Sequence, residues 1–159
     1  MESAADDRAD VRVLPPVLFL VSLCVGLLLG WLAPLRILSA EHPRLPLALG
    51  LTALAFGLGA VAWSLVWMRR TEQDPDPRKP TPSLIAAGPF RFSRNPIYLG
   101  MALLEAGIGL AIGNAWLLLL VPPTIAILVR TVVEREEAYL ARKFGEPYAR
   151  YCEQVRRWL

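Results

Sequence analysis

The residues that could do chemistry gather in two stretches, and the first is residues 88–100, GPFRFSRNPIYLG. Proline disfavours helix at the residue before it and suits the first helical position, so Asn95 is predicted to cap a helix that begins at Pro96. Free amides at a helix N-terminus, with Arg91 and Arg94 beside them, bind anions. The stretch therefore fits a carboxylate site. It equally fits a structural role in which the arginines anchor at lipid headgroups.

The second stretch, residues 133–137 (VEREE), is rich in carboxylates. On a regular helix Arg130, Glu134 and Glu137 share one face. Glu136 lies about 100° away and is expected to face solvent or Arg135. A solvated charge run with an Arg130–Glu134 ion pair accounts for this pattern. In a pocket, the same carboxylates would suit an ammonium or another cationic group.

Four apolar blocks must position these two stretches. They cover residues 15–34, 45–68, 96–113 and 115–133, and a helix of roughly 17–20 apolar residues crosses a hydrocarbon core of about 30 Å. Lipid offers the backbone no hydrogen bonds, which makes helices the expected form. The sequence therefore predicts an all-α integral membrane protein with four transmembrane helices, in a single membrane domain over 1–159.

Basic residues predict the orientation, because Lys and Arg are enriched in cytoplasmic loops. With four spans, one side carries 15 of the 17 Lys and Arg residues and the other carries 2. Both termini are therefore expected in the cytoplasm, and the expected location is a bacterial inner membrane.

A hairpin is expected to bring the two stretches together. Gly113-Asn114 is the one polar break between the last two blocks, so they are predicted to form a tight antiparallel helical hairpin. The hairpin returns Arg130 to the depth of Tyr98, so both stretches would face one cytoplasmic pocket. An anion site beside carboxylates would suit a zwitterionic or cationic ligand.

Two polar segments complete the expected architecture. Residues 71–88 are proline-rich and are expected to form an extended connector. Residues 132–158 are expected to form two short amphipathic helices at the cytoplasmic interface, broken at residues 145–147 (GEP), with Trp158 as an interfacial anchor.

Residue counts argue against several classes of protein. No basic stretch is interleaved with exposed aromatic residues, so nucleic-acid binding is not expected despite a formal charge of +3. Cys24 lies in an apolar block and Cys152 in the tail, which argues against a disulfide. The lone His42 and the lack of metal-ligand spacing argue against a metal site.

The acidic first residues do not fit a secretory signal, so the first apolar block is expected to be retained as a membrane helix.

An ordered set of motifs around the hairpin resembles the isoprenylcysteine carboxyl methyltransferase and phospholipid methyltransferase families. The resemblance covers residues 71–159, a C-terminal half that follows two N-terminal spans in residues 1–70. The matching residues are Gly88-Pro89-Phe90-Arg91, Arg94-Asn95-Pro96, Tyr98, Glu136-Glu137, Phe144-Gly145, Tyr148, Tyr151 and Arg157. Asn95 departs from the eukaryotic enzymes, which have His there, so an acid–base role is not expected of it.

This resemblance implies methyl transfer from S-adenosylmethionine, held by the hairpin and the tail rather than by a Rossmann domain. The amino-acid end of the cofactor would meet the Arg94-Asn95-Pro96 turn and Tyr98, and its ribose or amino group would meet Glu136 or Glu137. The candidate cofactor-binding residues are Pro89, Arg91, Arg94, Asn95, Tyr98, Glu134, Glu136 and Glu137. The candidate catalytic residues are Glu105, Arg130 and Glu137. Transfer from a sulfonium is a displacement driven by positioning, so it requires no general base.

Glu105 is the one charge in the third block, about 13 Å along the helix from its start. An ionisable group at that depth is a functional-site hypothesis, and its functional role here would be contact with the acceptor. The alternative is a glutamate that is hydrogen-bonded and packed against a neighbouring helix.

The expected acceptor is a lipophilic or small molecule that reaches the site from the bilayer, methylated on a carboxylate, an amine or a thiol. Two other functions stay open. One is an NADPH-dependent reductase, because membrane sterol reductases resemble this family in the same region. The other is a non-catalytic transporter or scaffold, although the spans show no inverted repeat or paired broken helices.

Overall fold

The computed structural model describes residues 8–11, 13–37 and 44–159, and within these ranges every regular element is a helix. Arg12 and His42 lie outside the described residues. The α-helices are α1 (Pro15–Leu32), α2 (Arg44–Arg70), α3 (Pro96–Ile112), α4 (Ala115–Leu128), α5 (Glu134–Phe144) and α6 (Glu146–Gln154). A 3-10 turn covers Gly88–Arg91, and a π-helical turn covers Val129–Val133. The prediction of an all-α fold is confirmed.

Three helical stretches are long and apolar enough to cross a membrane, namely α1, α2 and the continuous run Ala115–Phe144. The apolar part of that run ends at Val133, and the charged helix α5 continues beyond it. Helix α3 has 17 residues, about 25 Å, which is shorter than a hydrocarbon core of about 30 Å. The helices fit a multi-pass membrane protein, whereas the count of four spans stays a prediction.

The helices pack with small residues inside and large apolar residues outside, as expected in lipid. Glycines of α2 face glycines of α3: a Cβ at Gly50 would lie 2.7 Å from the carbonyl oxygen of Gly107, and one at Gly57 would lie 2.8 Å from that of Gly100. Large side chains such as Phe56, which is 70% exposed, point outward. The two helices therefore approach closely along glycine surfaces.

The predicted hairpin between α3 and α4 turns at two residues with separate tasks. Gly113 ends α3 with a φ of 70°, and a Cβ there would meet nothing within 4 Å. Its role is therefore the left-handed backbone conformation and not the close packing between helices that Gly107 provides. Asn114 caps α4, since its Oδ1 accepts a hydrogen bond of 3.0 Å from the amide of Trp116.

Helix α1 packs on α3 and α4 through polar contacts at two depths. Near the hairpin turn, Asn114 Nδ2 donates to the carbonyl of Gly26 at 3.0 Å. Halfway along, Ser22 Oγ donates to Glu105 Oε1 at 2.5 Å and accepts from Thr124 Oγ1 at 2.8 Å. Glu105 is only 3% exposed. This hydrogen bond and this burial are those of the second alternative, and they fix α1 against the hairpin. Oε2 of Glu105 is buried without a partner among the described residues, and contact with the acceptor stays a prediction.

The π-helical turn corrects one expectation about the acidic stretch. An i→i+5 turn changes the angular relation between residues before and after it, so face assignments made for a regular α-helix fail across it. Among the described residues, Arg130 and Glu134 form no ion pair, and both are exposed. Beyond the turn, Arg135 instead donates to the backbone and side chain of Asp10.

The tail folds as expected into two short helices. Gly145, with a φ of 56°, separates α5 from α6. Trp158 was expected to anchor at the membrane interface, and it packs, partly buried, against the core cluster that contains Leu128 and Tyr139. The tail therefore folds back onto the bundle at the end where α1 begins, α2 ends and α3 begins, which we call the tail end.

A four-span topology predicts where reporter enzymes will lie. Fusions that end after residues 40 and 114 should report the opposite side of the membrane from fusions after residues 80 and 159, because each apolar block reverses the chain. Paired phosphatase and β-galactosidase activities in a bacterial host measure this. If the fusion after residue 114 reports the same side as the one after residue 80, α3 does not cross.

Candidate ligand-binding site

Asn95 holds the C-terminal tail against the start of α3. Its backbone occupies the N-cap position, but its side chain caps no amide of α3. Instead Asn95 Nδ2 donates to the carbonyl of Arg157 at 3.0 Å, and Asn95 is 8% exposed. The predicted N-cap position and helix start are therefore confirmed, but the side chain is committed to the tail and does not cap. Among the described residues, no side chain caps the first amides of α3.

Two further hydrogen bonds fix the tail at the same place. Ser93 Oγ donates to the carbonyl of Arg157 at 3.2 Å, and the amide of Arg94 donates to the carbonyl of Arg156 at 3.0 Å. Ser93 is 1% exposed. The last residues of the chain thus pack along the turn that precedes α3.

Glu137 lies between two arginines. Arg157 donates to it through Nε at 3.1 Å and Nη2 at 2.6 Å, and Arg94 Nη1 lies 3.2 Å from its Oε1. The hydrogen bond with Glu137 raises the pKa of Arg157 above its ordinary value. Both oxygens of Glu137 are therefore satisfied within the protein, and its carboxylate links α5 to the tail and to the α3 turn.

Glu136, the neighbouring residue, faces α3 with one oxygen engaged. Tyr98 donates its hydroxyl hydrogen to Glu136 Oε1 at 2.9 Å. Desolvation raises the pKa of Glu136 to about 7, although the hydrogen bond from Tyr98 opposes this. Its second oxygen makes no hydrogen bond among the described residues, so Glu136 has capacity left for a ligand.

A cavity of about 490 Å³ opens beside these residues at the tail end. This volume lies within the roughly 300–1,000 Å³ typical of small-molecule sites. Its polar wall includes Arg94, Asn95, Tyr98, Glu136 and Glu137, together with the connector residues Gln73, Asp74 and Asp76. The hydrogen bond from Arg78 lowers the pKa of Asp76 to about 2, so that carboxylate is charged at neutral pH.

Two residues that line the cavity each contain a buried polar atom without a hydrogen-bond partner among the described residues, namely Gln73 Oε1 and Arg94 Nε. Leaving a buried acceptor or donor unpaired costs about 1–3 kcal/mol. One atom accepts and the other donates, and both belong to residues that line the same cavity. Because both atoms are buried, their side chains have to turn toward the cavity before a ligand with a donor at one end and an anion at the other can bond to both.

The connector and α6 complete the walls through hydrogen bonds of their own. The amide of Thr81 donates to the hydroxyl of Tyr139 on α5 at 3.1 Å. The hydroxyl of Tyr151 on α6 donates to the carbonyl of Phe90 at 2.7 Å. Burial raises the pKa of Tyr151 to about 12, so it keeps this proton. The proline-rich segment is thus a fixed wall of the cavity.

The structure brings together half of the ten site residues that the sequence predicted. Those that line the cavity are Arg94, Asn95, Tyr98, Glu136 and Glu137, and those that do not are Pro89, Arg91, Glu105, Arg130 and Glu134. The exposed Arg130 and the Ser22-bonded Glu105 both lie away from the cavity wall. Their catalytic roles stay predictions, and their positions favour structural roles.

Sequence reasoning missed three parts of the wall. Gln73, Asp74 and Asp76 belong to a connector that we judged by its prolines alone, although the Asp-Pro-Asp-Pro repeat signals side-chain-bonded turns. The aromatic residues Tyr148 and Tyr151 were noted for family resemblance and not as cavity walls. The N-terminal residues that line the cavity carry no motif.

The fold and the site together define a multi-pass membrane protein with a ligand cavity at one end of its helices. The sequence model of the phospholipid methyltransferase family matches residues 45–147, well over half of the chain. The chain therefore belongs to the phospholipid methyltransferase family, which confirms the recognised resemblance. The match begins at residue 45 in α2, whereas the motifs indicated a resemblance that begins at residue 71.

The chain is also similar to an uncharacterized protein of Haemophilus influenzae, with 40% identity over 65 residues that cover 40% of this chain and all of that protein. No solved structure matches this chain. Membership of the family supports a membrane methyltransferase and does not favour a reductase or a transporter. The isoprenylcysteine carboxyl methyltransferase branch stays a prediction.

The contacts of Glu137 predict how the tail can be loosened. Glu137→Gln should weaken the attachment of α6 and the last residues by about 1 kcal/mol, since a partly exposed charge pair loses its charge-assisted bonds. Amide hydrogen exchange in α6 should accelerate severalfold. Arg150→Ala, which removes an exposed charge from the same helix, is the control. Unchanged exchange in Glu137→Gln would contradict the linking role.

Proposed function

We propose that this chain transfers a methyl group from S-adenosylmethionine to an acceptor with an apolar portion, at the tail end of the bundle. The observation that carries the proposal is the cavity wall itself. Within the family-matched residues it combines a carboxylate with an open oxygen, an unpaired guanidinium nitrogen and an unpaired amide oxygen. These groups complement the zwitterionic end and the nucleoside of that cofactor.

The amino-acid carboxylate of the cofactor fits beside Arg94. Its Nε is a buried donor, and neither this atom nor the first amides of α3, in the adjacent turn, has a side-chain partner within residues 8–11, 13–37 and 44–159. A helix N-terminus and a guanidinium both favour an anion. Glu137 holds the guanidinium of Arg94 through Nη1 at 3.2 Å, which positions this residue at the cavity.

The ammonium group of the cofactor fits Glu136 better than Glu137. Glu137 already accepts bonds from Arg157 and contacts Arg94, whereas in the part of the chain that the structure describes Glu136 is bonded only to Tyr98. We therefore assign Glu136 to the cation and give Glu137 the task of positioning Arg94. The unpaired Gln73 Oε1 suits a hydroxyl or amino donor of the nucleoside.

When bound, the cofactor supplies an electrophilic methyl group: its carbon–sulfur bond breaks with the electron pair left on sulfur, while the lone pair of the acceptor forms the new bond. An amine acceptor then releases one proton, whereas a carboxylate or a thiolate releases none. The chain contributes alignment and exclusion of water, which supply most of the acceleration for such a displacement. No residue needs to act as a nucleophile.

The same wall argues against NADPH as the ligand. NADPH carries several phosphate groups, and among the described residues Arg94 is the only arginine or lysine that lines the cavity. Arg78, Lys79 and Arg157 nearby are already paired with Asp76, Asp74 and Glu137, so few free cations remain to bind phosphates. The acceptor is proposed to reach the cavity from the bilayer, and by the asymmetry of basic residues this end would face the cytoplasm.

Cofactor binding can be tested with S-adenosylhomocysteine and purified protein in lipid nanodiscs. At 100 times its dissociation constant the ligand should stabilise the fold by about 2.7 kcal/mol, and NADPH should not. Glu136→Gln and Tyr98→Phe should weaken binding by about tenfold or less, through loss of one charge-assisted bond. Glu153→Gln, an exposed change on α6, should bind normally. Stabilisation by NADPH alone would favour the reductase.

The pKa of about 7 for Glu136 predicts a pH dependence of binding. The ammonium group binds the ionised carboxylate, so affinity for S-adenosylhomocysteine should rise by up to about tenfold between pH 6 and pH 8 and fall on acidification. Titration calorimetry at several pH values measures this. Glu136→Gln should remove the dependence, and an unchanged slope in that variant would assign the titration to another group.

A further inference from the structure

The apolar side of the cavity is built partly by residues outside the family match. Ala9, Leu14, Pro15 and Pro16 line it from the N-terminal side, and these residues precede residue 45, where the match begins. Val61, Leu65 and Met68 of α2 and Met101 of α3 line the same cavity. We call this part the apolar lobe.

The apolar lobe lies between the start of α1 and the end of α2. Among the described residues, α1 packs on α3 and α4, and α2 packs on α3. Both helices carry large apolar side chains on their outer surfaces, for instance Leu20 at 58% and Val66 at 45% exposure, which is the pattern of lipid contact. The lobe therefore adjoins the bilayer on one side and the polar wall on the other.

The N-terminal segment that bounds this lobe, residues 8–14 with 12 outside the described residues, is fixed to the helix that carries Glu136. Ala9 is 3% and Val11 is 5% exposed, in one core cluster with Val132 and Tyr139. Arg135 Nη1 donates to the backbone oxygen of Asp10 at 2.8 Å and to its Oδ2 at 2.9 Å. The segment thus lies directly beside the site.

We propose that this N-terminal segment is the selectivity wall for the hydrocarbon chain of the acceptor. The inference rests on the proposed function, since it places the chain in the apolar lobe and the reactive head at the polar wall. Leu14 from the N-terminal side and Leu65 from α2 limit the width of the chain that fits. Acceptor selectivity then depends on a segment that the family core does not specify.

A photoreactive probe tests the lobe without relying on methyl transfer. Wild-type protein in nanodiscs is irradiated with a long-chain primary amine that carries a terminal diazirine, with and without excess unmodified amine. Saturable labelling should map to residues 9–16 and 61–68. Leu14→Trp and Leu65→Trp should each reduce it by about tenfold, the discrimination available to a few methylene groups in an apolar pocket.

Two matched controls keep this test decisive. Val13→Trp and Val66→Trp introduce the same side chain one residue away, at positions that are 36% and 45% exposed and do not line the cavity. Labelling should therefore stay within about twofold of wild type. Loss of labelling in both the variants and the controls, or labelling that is not saturable, would overturn the proposal. If labelling is as expected but S-adenosylhomocysteine does not bind, the proposed cofactor is contradicted and the proposal for the apolar lobe is still supported.

Discussion

The site depends on one constraint: the last residues of the chain are bonded to the turn before α3. Asn95, Ser93 and the amide of Arg94 hold the carbonyls of Arg156 and Arg157. Through its guanidinium, Arg157 then holds Glu137. These bonds hold α5 and α6 over the bundle, and the cavity lies between the bundle and the tail.

A second constraint comes from the membrane, which supplies no hydrophobic force between helices. Association must use close packing and buried hydrogen bonds, and the chain uses both. Glycine surfaces join α2 to α3, and the bonded series Thr124, Ser22 and Glu105 joins α4, α1 and α3. Glu105 is therefore a fixed point between helices, and at the tail end Arg94 and Glu136 keep polar atoms without a partner among the described residues.

The sequence predicted the features that depend on local chemistry. The apolar blocks predicted the membrane helices, Gly113-Asn114 predicted the hairpin, and Gly145 predicted the break between the two tail helices. Arg94, Tyr98 and Glu136 were found because a helix start and an acidic stretch meet across a hairpin. Contacts between distant segments were not predictable in the same way. The bond from Asn95 to the tail, the role of Gln73 and the N-terminal wall depend on chain paths that no local pattern specifies.

The most direct test of the account is the fate of a labelled methyl group. Purified protein is incubated with S-adenosylmethionine labelled in its methyl group and a native lipid extract, and the products are partitioned. Label should enter the organic phase, and base lability would mark an ester, whereas resistance to base would indicate N- or S-methylation. The amount transferred should fall in Glu136→Gln and persist in Glu153→Gln. Label that stays entirely in the unreacted cofactor, or that reaches only water-soluble products, would contradict the account.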